Sequence, residues 1–222
     1  MNVEIDVPSK LSDLTLEQYQ VFMRLVDKED SDEFIHQKMI AIFCKIKLSQ
    51  VVYFNAGSIN ETVDHLNGMF DAEKKFIHRF ELGGKEFGFI PSLEDMSFGE
   101  YIDLETNIGD WDTVHKAMAV MFRPIVKTKG DKYEIEPYEG TATYSEVMLY
   151  APLDVVMGAM VFFYSLSNEL LMATLHSLEV DTLKMVTRKK NNLTKHGDGI
   201  SQSMQSLEET FKTLRGLQGL GF

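Results

Sequence analysis

"FIHRFELGGKEFGFIP", residues 76–91, decides the fold class. Phe80, Leu82, Phe87 and Phe89 recur every second position, whereas apolar residues on either side of the stretch recur every third or fourth. Gly83-Gly84 separates the two runs, and a two-residue hairpin turn needs positive φ, which glycine adopts freely. Pro91 stops the second run because proline brings no amide to a ladder. The stretch predicts a β-hairpin inside a helical chain. The same signal returns at "IVKTKGDKYEIEPY", residues 125–138, with a turn at Gly130-Asp131.

Helical signals surround both hairpins. Upstream, "TLEQYQVFMRLVD" opens with a Thr15/Gln18 capping box, and "EFIHQKMIAIFCKI" with an Asp30/Glu33 box. A Ser58/Glu61 box opens "INETVDHLNGMF". Residues 10–70 therefore read as a helical subunit, preceded by a short strand at "NVEIDV", residues 2–7. Between the hairpins, Ser97 and Glu100 cap "FGEYIDLETNIG", whose Phe98, Tyr101, Ile102 and Leu104 are expected to face inwards. Gly109 stops it, and Asp110 or Asp112 caps "TVHKAMAVMF". Phe89, Tyr101, Trp111, Met118 and Phe122 are expected to share one core. Thr143 and Glu146 cap a short helix, and Pro152 opens the longest one, from 152 to about 179. Two hairpins among seven or so helices, with no strand–helix alternation, predict an α+β fold that is predominantly α-helical, with small antiparallel β-hairpins and no parallel sheet.

Composition bounds the function classes. The chain has 222 residues, 44% apolar and 25% charged, in the range of a globular protein. Cys44 is the single cysteine, so neither an internal disulfide nor a cysteine zinc cluster can form. Net charge is −12, but residues 181–222 carry seven basic against four acidic groups, a net +3, leaving −15 on the rest. An acidic body disfavours wrapping nucleic acid, where binding rests on neutralising phosphates. No signal peptide is expected at "MNVEIDVPSK", which has neither a basic start nor an apolar run. "VVMGAMVFFY", residues 155–164, is half the length of a membrane span and reads as a buried helix.

From Asn191 the chain turns polar and rich in Gly, Ser and Asn, and reads as a linker. The domain division is thus an acidic body over 1–190 and a linker with an amphipathic C-terminal arm over 191–222. On the arm, Met204, Leu207, Phe211 and Leu214 fall at helical spacing. One helix cannot bury its own stripe, so it either folds back onto the body or docks on another chain, and these four residues are the candidate partner-docking group.

The densest set of chemically capable residues lies in "FGEYIDLETNIGDWDTVHKAMAVMFRPI", residues 98–125: Glu100, Asp103, Glu105, Asp110, Asp112, His115 and Arg123. Glu100 and Asp103 share a helix face, and either, or Asp110, could pair with Arg123 or Lys116. Capping already accounts for Glu100, Asp110 and Asp112, so catalysis is not expected there. His36, His65, His78, His115, His176 and His196 include no pair at metal-binding helical spacing. "GDGIS" lacks the strand and the Lys-Ser/Thr of a phosphate loop. No catalytic, metal or cofactor-binding residues are predicted, and no cofactor.

Phe89-Ile90-Pro91, Phe98-Gly99-Glu100-Tyr101, Asp110-Trp111, His115-Lys116-Ala117-Met118 and Arg123-Pro124 carry a resemblance. Together with "APLDVVMGAMVFFYSLSNELL", they resemble a family of small proteins encoded in the virion-gene blocks of tailed bacteriophages of marine and gut bacteria, crAss-like phages among them. The similarity runs from about residue 12 to 195. It implies a non-enzymatic morphogenesis protein, located in the virion after assembly in the bacterial host cytoplasm. The expected role is a multi-copy component near the portal and tail: a ring, an adaptor or a packaged cargo protein. The alternative is a tail-assembly chaperone, absent from the mature particle and acting on a tape-measure or tube protein. A small hydrolytic or metal-dependent enzyme ranks third.

Overall fold

Gly83 and Gly84 take φ angles of 59° and 75°, the left-handed pair that a tight hairpin turn requires. They join two strands, β1 (Arg79–Leu82) and β2 (Lys85–Phe89). β2 pairs antiparallel with β3 (Phe122–Lys129), which pairs with β4 (Lys132–Ile135) across the predicted turn at Gly130. The sheet order is β1-β2-β3-β4, with every pairing antiparallel. Both hairpins therefore form as the sequence predicts. What sequence periodicity did not reveal is that they merge into one sheet, through the long connection from β2 to β3.

The computed structural model describes residues 5–26 and 31–192. Before the sheet come α1 (Leu16–Val26), α2 (Asp32–Phe43), α3 (Leu48–Val51) and α4 (Ala56–Asp71). The connection between β2 and β3 holds α5 (Phe98–Ile108) and α6 (Val114–Met121). After β4 follow α7 (Ser145–Met148) and α8 (Leu153–Asn192). The fold is α+β, mostly helical, with a small antiparallel sheet. The chain divides into two compact units, residues 1–165 and 166–222. In the second, the described part is the helix from Leu166 to Asn192. The rest of the expected linker and the arm, with Met204, Leu207, Phe211 and Leu214, lie outside the described residues.

One hydrophobic core runs through the first unit. Phe22, Phe43 and Phe70 meet in tilted pairs 5.2 and 5.4 Å apart, tying α1, α2 and α4 together. Tyr19 links this group to the α5–α6 corner through an edge contact with Trp111 at 4.6 Å. At the sheet, Phe80, Phe87, Phe89 and Phe122 pack ring against ring, and Phe162 of α8 closes over Phe89. Phe76 stacks on Phe162 at 4.4 Å. Gly158 permits this approach: a Cβ there would stand 2.3 Å from the carbonyl oxygen of Lys75, so any side chain would push α8 off the segment that leads into β1.

Several local expectations need correction. Residues 5–9, the described part of the expected first strand and its flank, form no strand. The cap of α4 is Asn55, whose side chain accepts from the Ser58 amide, so the helix starts earlier than a Ser58 cap allows. Thr143 ends a 3-10 turn (Thr141–Thr143) and does not cap α7, which follows Tyr144. Pro152 directly precedes α8, its carbonyl accepting from the Val155 and Val156 amides. Asp30 lies outside the described residues; α2 follows Ser31. The Thr15/Gln18 box forms in both directions, at 3.1 and 3.3 Å.

The largest correction concerns α5. Leu104 is buried as expected, but Phe98, Tyr101 and Ile102 are 79%, 52% and 42% exposed. Tyr101 therefore does not share the core with Phe89, Met118 and Phe122, which are buried. The helix turns Glu100, Leu104 and Asn107 inwards instead.

Candidate functional site

The inward face of α5 meets the start of β3, and that meeting gathers the polar groups of the central stretch. Ser97 and Glu100 form the predicted capping box: the Ser97 amide donates to Glu100 Oε2 at 2.7 Å, and the Glu100 amide to Ser97 Oγ at 3.3 Å. The other carboxylate oxygen, Oε1, lies 2.7 Å from a terminal nitrogen of Arg123. Glu100 and Arg123 are each only 6% exposed. The capping residue is thus also one half of a buried ion pair. Burial pushes the Glu100 carboxyl up, but the hydrogen bonds from Ser97 and the adjacent guanidinium together bring it below its ordinary value.

Asp103, one turn along α5, accepts a hydrogen bond at Oδ2 from the Tyr138 hydroxyl. The Tyr138 ring lies 5.5 Å from the Arg123 guanidinium. Burial, then the Asp103 carboxylate, hold the Tyr138 hydroxyl protonated well above its ordinary range. Glu100, Asp103, Arg123 and Tyr138 form one network that fastens α5 to β3 and to the segment after β4. Tyr138 had no signal in local sequence, because it stands 35 positions from Asp103.

The remaining candidates are used elsewhere. The Asp110 carboxylate accepts from the Asp112 amide at 2.9 Å, so it shapes the corner and does not cap α6. Asp112 pairs with Arg24 of α1 at 2.6 Å, with both side chains solvent-accessible. α6 starts after Thr113 without a side-chain cap, its first amide bonding to the Asp110 carbonyl. Arg123 pairs with Glu100 and not with Asp110, and Lys116 forms no ion pair with Glu100, Asp103 or Asp110. Glu105 is exposed on α5. His115 Nδ1 lies 3.2 Å from Nε2 of the buried Gln20, which also donates to the Trp111 carbonyl at 2.6 Å. Burial and the nearby Lys116 lower the His115 pKa, which favours the neutral ring that can accept from Gln20.

This network is poorly suited to chemistry. Both Glu100 oxygens are occupied, and its pKa moves away from the range a general acid needs at neutral pH. A cleft of about 200 Å³ opens beside Arg123, Tyr138 and Tyr144. Arg123 Nε is buried without a hydrogen-bond partner. However, Glu100 already neutralises the guanidinium, and Glu136 and Glu139 add negative charge to the cleft wall. Such walls do not concentrate anions. The Glu136 carboxylate is itself engaged by the Tyr144 hydroxyl. Cys44 is buried and its thiol is pushed up to about 11, first by burial, so it is not activated as a nucleophile. Among the described residues no group of three His, Cys, Asp or Glu side chains could hold a metal ion. No helix among them is long and apolar enough to cross a membrane.

The other side of α5 has a different character. Phe98, Tyr101, Ile102 and Glu105 stand at i, i+3, i+4 and i+7, one exposed stripe along the helix. Exposed Glu94 and Asp95 precede it. From Pro91 to His115 the chain has seven carboxylates and neither lysine nor arginine. The result is an apolar stripe in an acidic surround. No protein-family model, curated protein or solved structure matches the chain.

Proposed function

We propose that the chain is a non-enzymatic assembly protein of a tailed bacteriophage, a multi-copy virion component near the portal and tail that serves as a ring, adaptor or packaged cargo protein. The observation that carries this reading is the outward apolar stripe of α5. A helix that shows Phe98, Tyr101 and Ile102 to water while burying Glu100 is built for a partner. The resemblance to virion-block proteins supplies the biological setting, and its Phe98–Tyr101 motif includes two residues of that stripe. The Glu100–Arg123 pair, also drawn from resembling residues, sets the orientation of α5. These residues hold and present a surface; none is poised for bond making.

The partners on this reading are other structural proteins of the portal and tail region, and the place of assembly is the host cytoplasm. The acidic body makes no direct contact with the genome, since like charge repels it. Quantitative mass spectrometry of gradient-purified particles of the encoding phage tests the proposal. A fixed copy number per particle, in step with portal or tail proteins, is expected. Abundance in infected cells with absence from particles would replace it by the tail-assembly chaperone reading. The further expectation is that the Met204, Leu207, Phe211 and Leu214 group is what reaches a neighbour.

A further inference from the structure

We infer that the outward face of α5 is the receptor for the C-terminal segment of a second copy of this chain, residues 201–222. The inference rests on the assembly reading above and names the contact by which copies join.

The face sets two requirements. Phe98, Tyr101 and Ile102 need an apolar stripe opposite them, and Glu94, Asp95 and Glu105 need basic groups around that stripe. A second α5 face meets the first requirement and fails the second, because it would set carboxylates against carboxylates. The two-fold contact is therefore disfavoured, and the occupant must be chemically unlike the face. The same chain contains such a segment. Met204, Leu207, Phe211 and Leu214 recur at helical spacing, with Lys212 and Arg215 balanced by Glu208 and Glu209. Residues 184–195, which lead into it, carry five basic groups and no acidic one. The apolar stripe comes from residues 201–222, and the positive charge the face lacks comes from residues 184–195, which lead into them.

A contact between unlike surfaces on identical chains is head-to-tail. Each copy gives one segment and offers one face, so copies add in series and close into a ring when the rotation allows. Closure of several such contacts makes the assembly persist.

Complementary variants of the full-length chain test this. One variant carries Phe98→Asp and Tyr101→Asp on the face; the other carries Leu207→Asp and Phe211→Asp on the segment. Sedimentation velocity is measured for each alone and for an equal mixture. The unaltered chain should associate with concentration, and less so as salt is raised. Each variant alone should remain at the monomer mass of 25.4 kDa. The mixture should give a species of twice that mass and nothing larger, because only one intact face and one intact segment remain to meet. An unaltered chain that stays monomeric at every concentration overturns the inference. If segment variants dissociate while face variants associate normally, the segment docks but not on α5, and the face assignment falls alone. If both variants are monomeric and the mixture stays monomeric, the two surfaces do not meet each other. Ile102→Lys provides a second face variant, kept for comparison should the double substitution lower the melting midpoint. It should weaken association by the same route, by setting a positive charge against the basic residues 184–195 that lead into the segment.

Discussion

α5 and α6 are neighbours in sequence and in space, and both look amphipathic, yet they use their apolar residues in opposite ways. α6 buries Val114, Ala117, Met118, Ala119, Val120 and Met121 and runs without a break into β3. α5 buries a glutamate and an asparagine with Leu104 and leaves Phe98, Tyr101 and Ile102 outside. Burying a large apolar side chain is worth about 1.5–3 kcal/mol, so α5 forgoes the stability that turning Phe98, Tyr101 and Ile102 inwards would offer. A buried ion pair recovers little of it, because desolvation offsets most of the attraction. α6 turns its apolar residues into the core, whereas α5 displays most of its own. Departures of this kind mark places where something other than stability fixed the residue.

The Glu100–Arg123 pair holds α5 in this orientation. Arg123→Met should cost about 3–5 kcal/mol in urea unfolding, since it strands the buried Glu100 charge. Adding Glu100→Leu should restore much of that loss, because two apolar residues need no desolvation. A double variant as unstable as the single would mean that the pair is not what anchors the helix. The same pair gives a pH signature. The Glu100 carboxyl sits below its ordinary value of 4.5 in the folded chain, so its contribution is complete above that pH and is lost as pH falls through the lowered value. The stability gap between the unaltered chain and Glu100→Gln should therefore narrow below about pH 4.5. A gap that is constant from pH 7 to about 3 would show that the ionised form is not the stabilising one.

Trp111 stands at the corner between the two helices and sharpens the contrast. As a fully enclosed core residue it would leave a cavity costing about 3–5 kcal/mol on its removal. The indole is half-buried, with an edge contact to Tyr19 at 4.6 Å. Trp111→Ala should then cost about 2 kcal/mol, roughly half of what a fully enclosed aromatic costs. The melting midpoint reports it. A loss as large as that of Arg123→Met would place the corner among the core elements after all.

How much of this was legible beforehand follows from the range of the forces involved. The hairpin turns were legible because Gly83-Gly84 and Gly130 act on their own φ angles. The Ser97/Glu100 box was legible because three residues separate its members. The orientation of α5 was not. It depends on Arg123, 23 positions later on another element, and amphipathic spacing says only that a helix has two faces. Spacing defines a stripe; the partner of Glu100 decides which side is inside. The Asn55 cap was missed for a smaller reason. Asn55 and Ser58 are both favourable caps three residues apart, and the earlier one engages the later one's amide. The exposed stripe on α5 could have been suspected from one signal, the lack of any lysine or arginine from Pro91 to His115 beside aromatic residues.

The smallest expected effect is the most direct test of the contrast. Tyr101→Asp places a charge on α5 in a position that ordinary reading assigns to the core. A charge forced into a core would cost several kcal/mol. At a position 52% exposed, the carboxylate keeps its water, and the loss is limited to helix propensity and surface contact. The change in unfolding free energy should stay within about 0.5 kcal/mol. Met118→Asp on α6 is the matched control: its side chain is fully buried, and the same substitution should prevent stable folding. Measured side by side in urea, the two variants ask whether adjacent helices obey opposite rules. Similar losses for both would mean that α5 turns its apolar side inwards in solution, and the docking face would not exist. A near-zero loss at Tyr101, with the folded chain impaired in self-association, separates the surface function of this residue from any role in the fold.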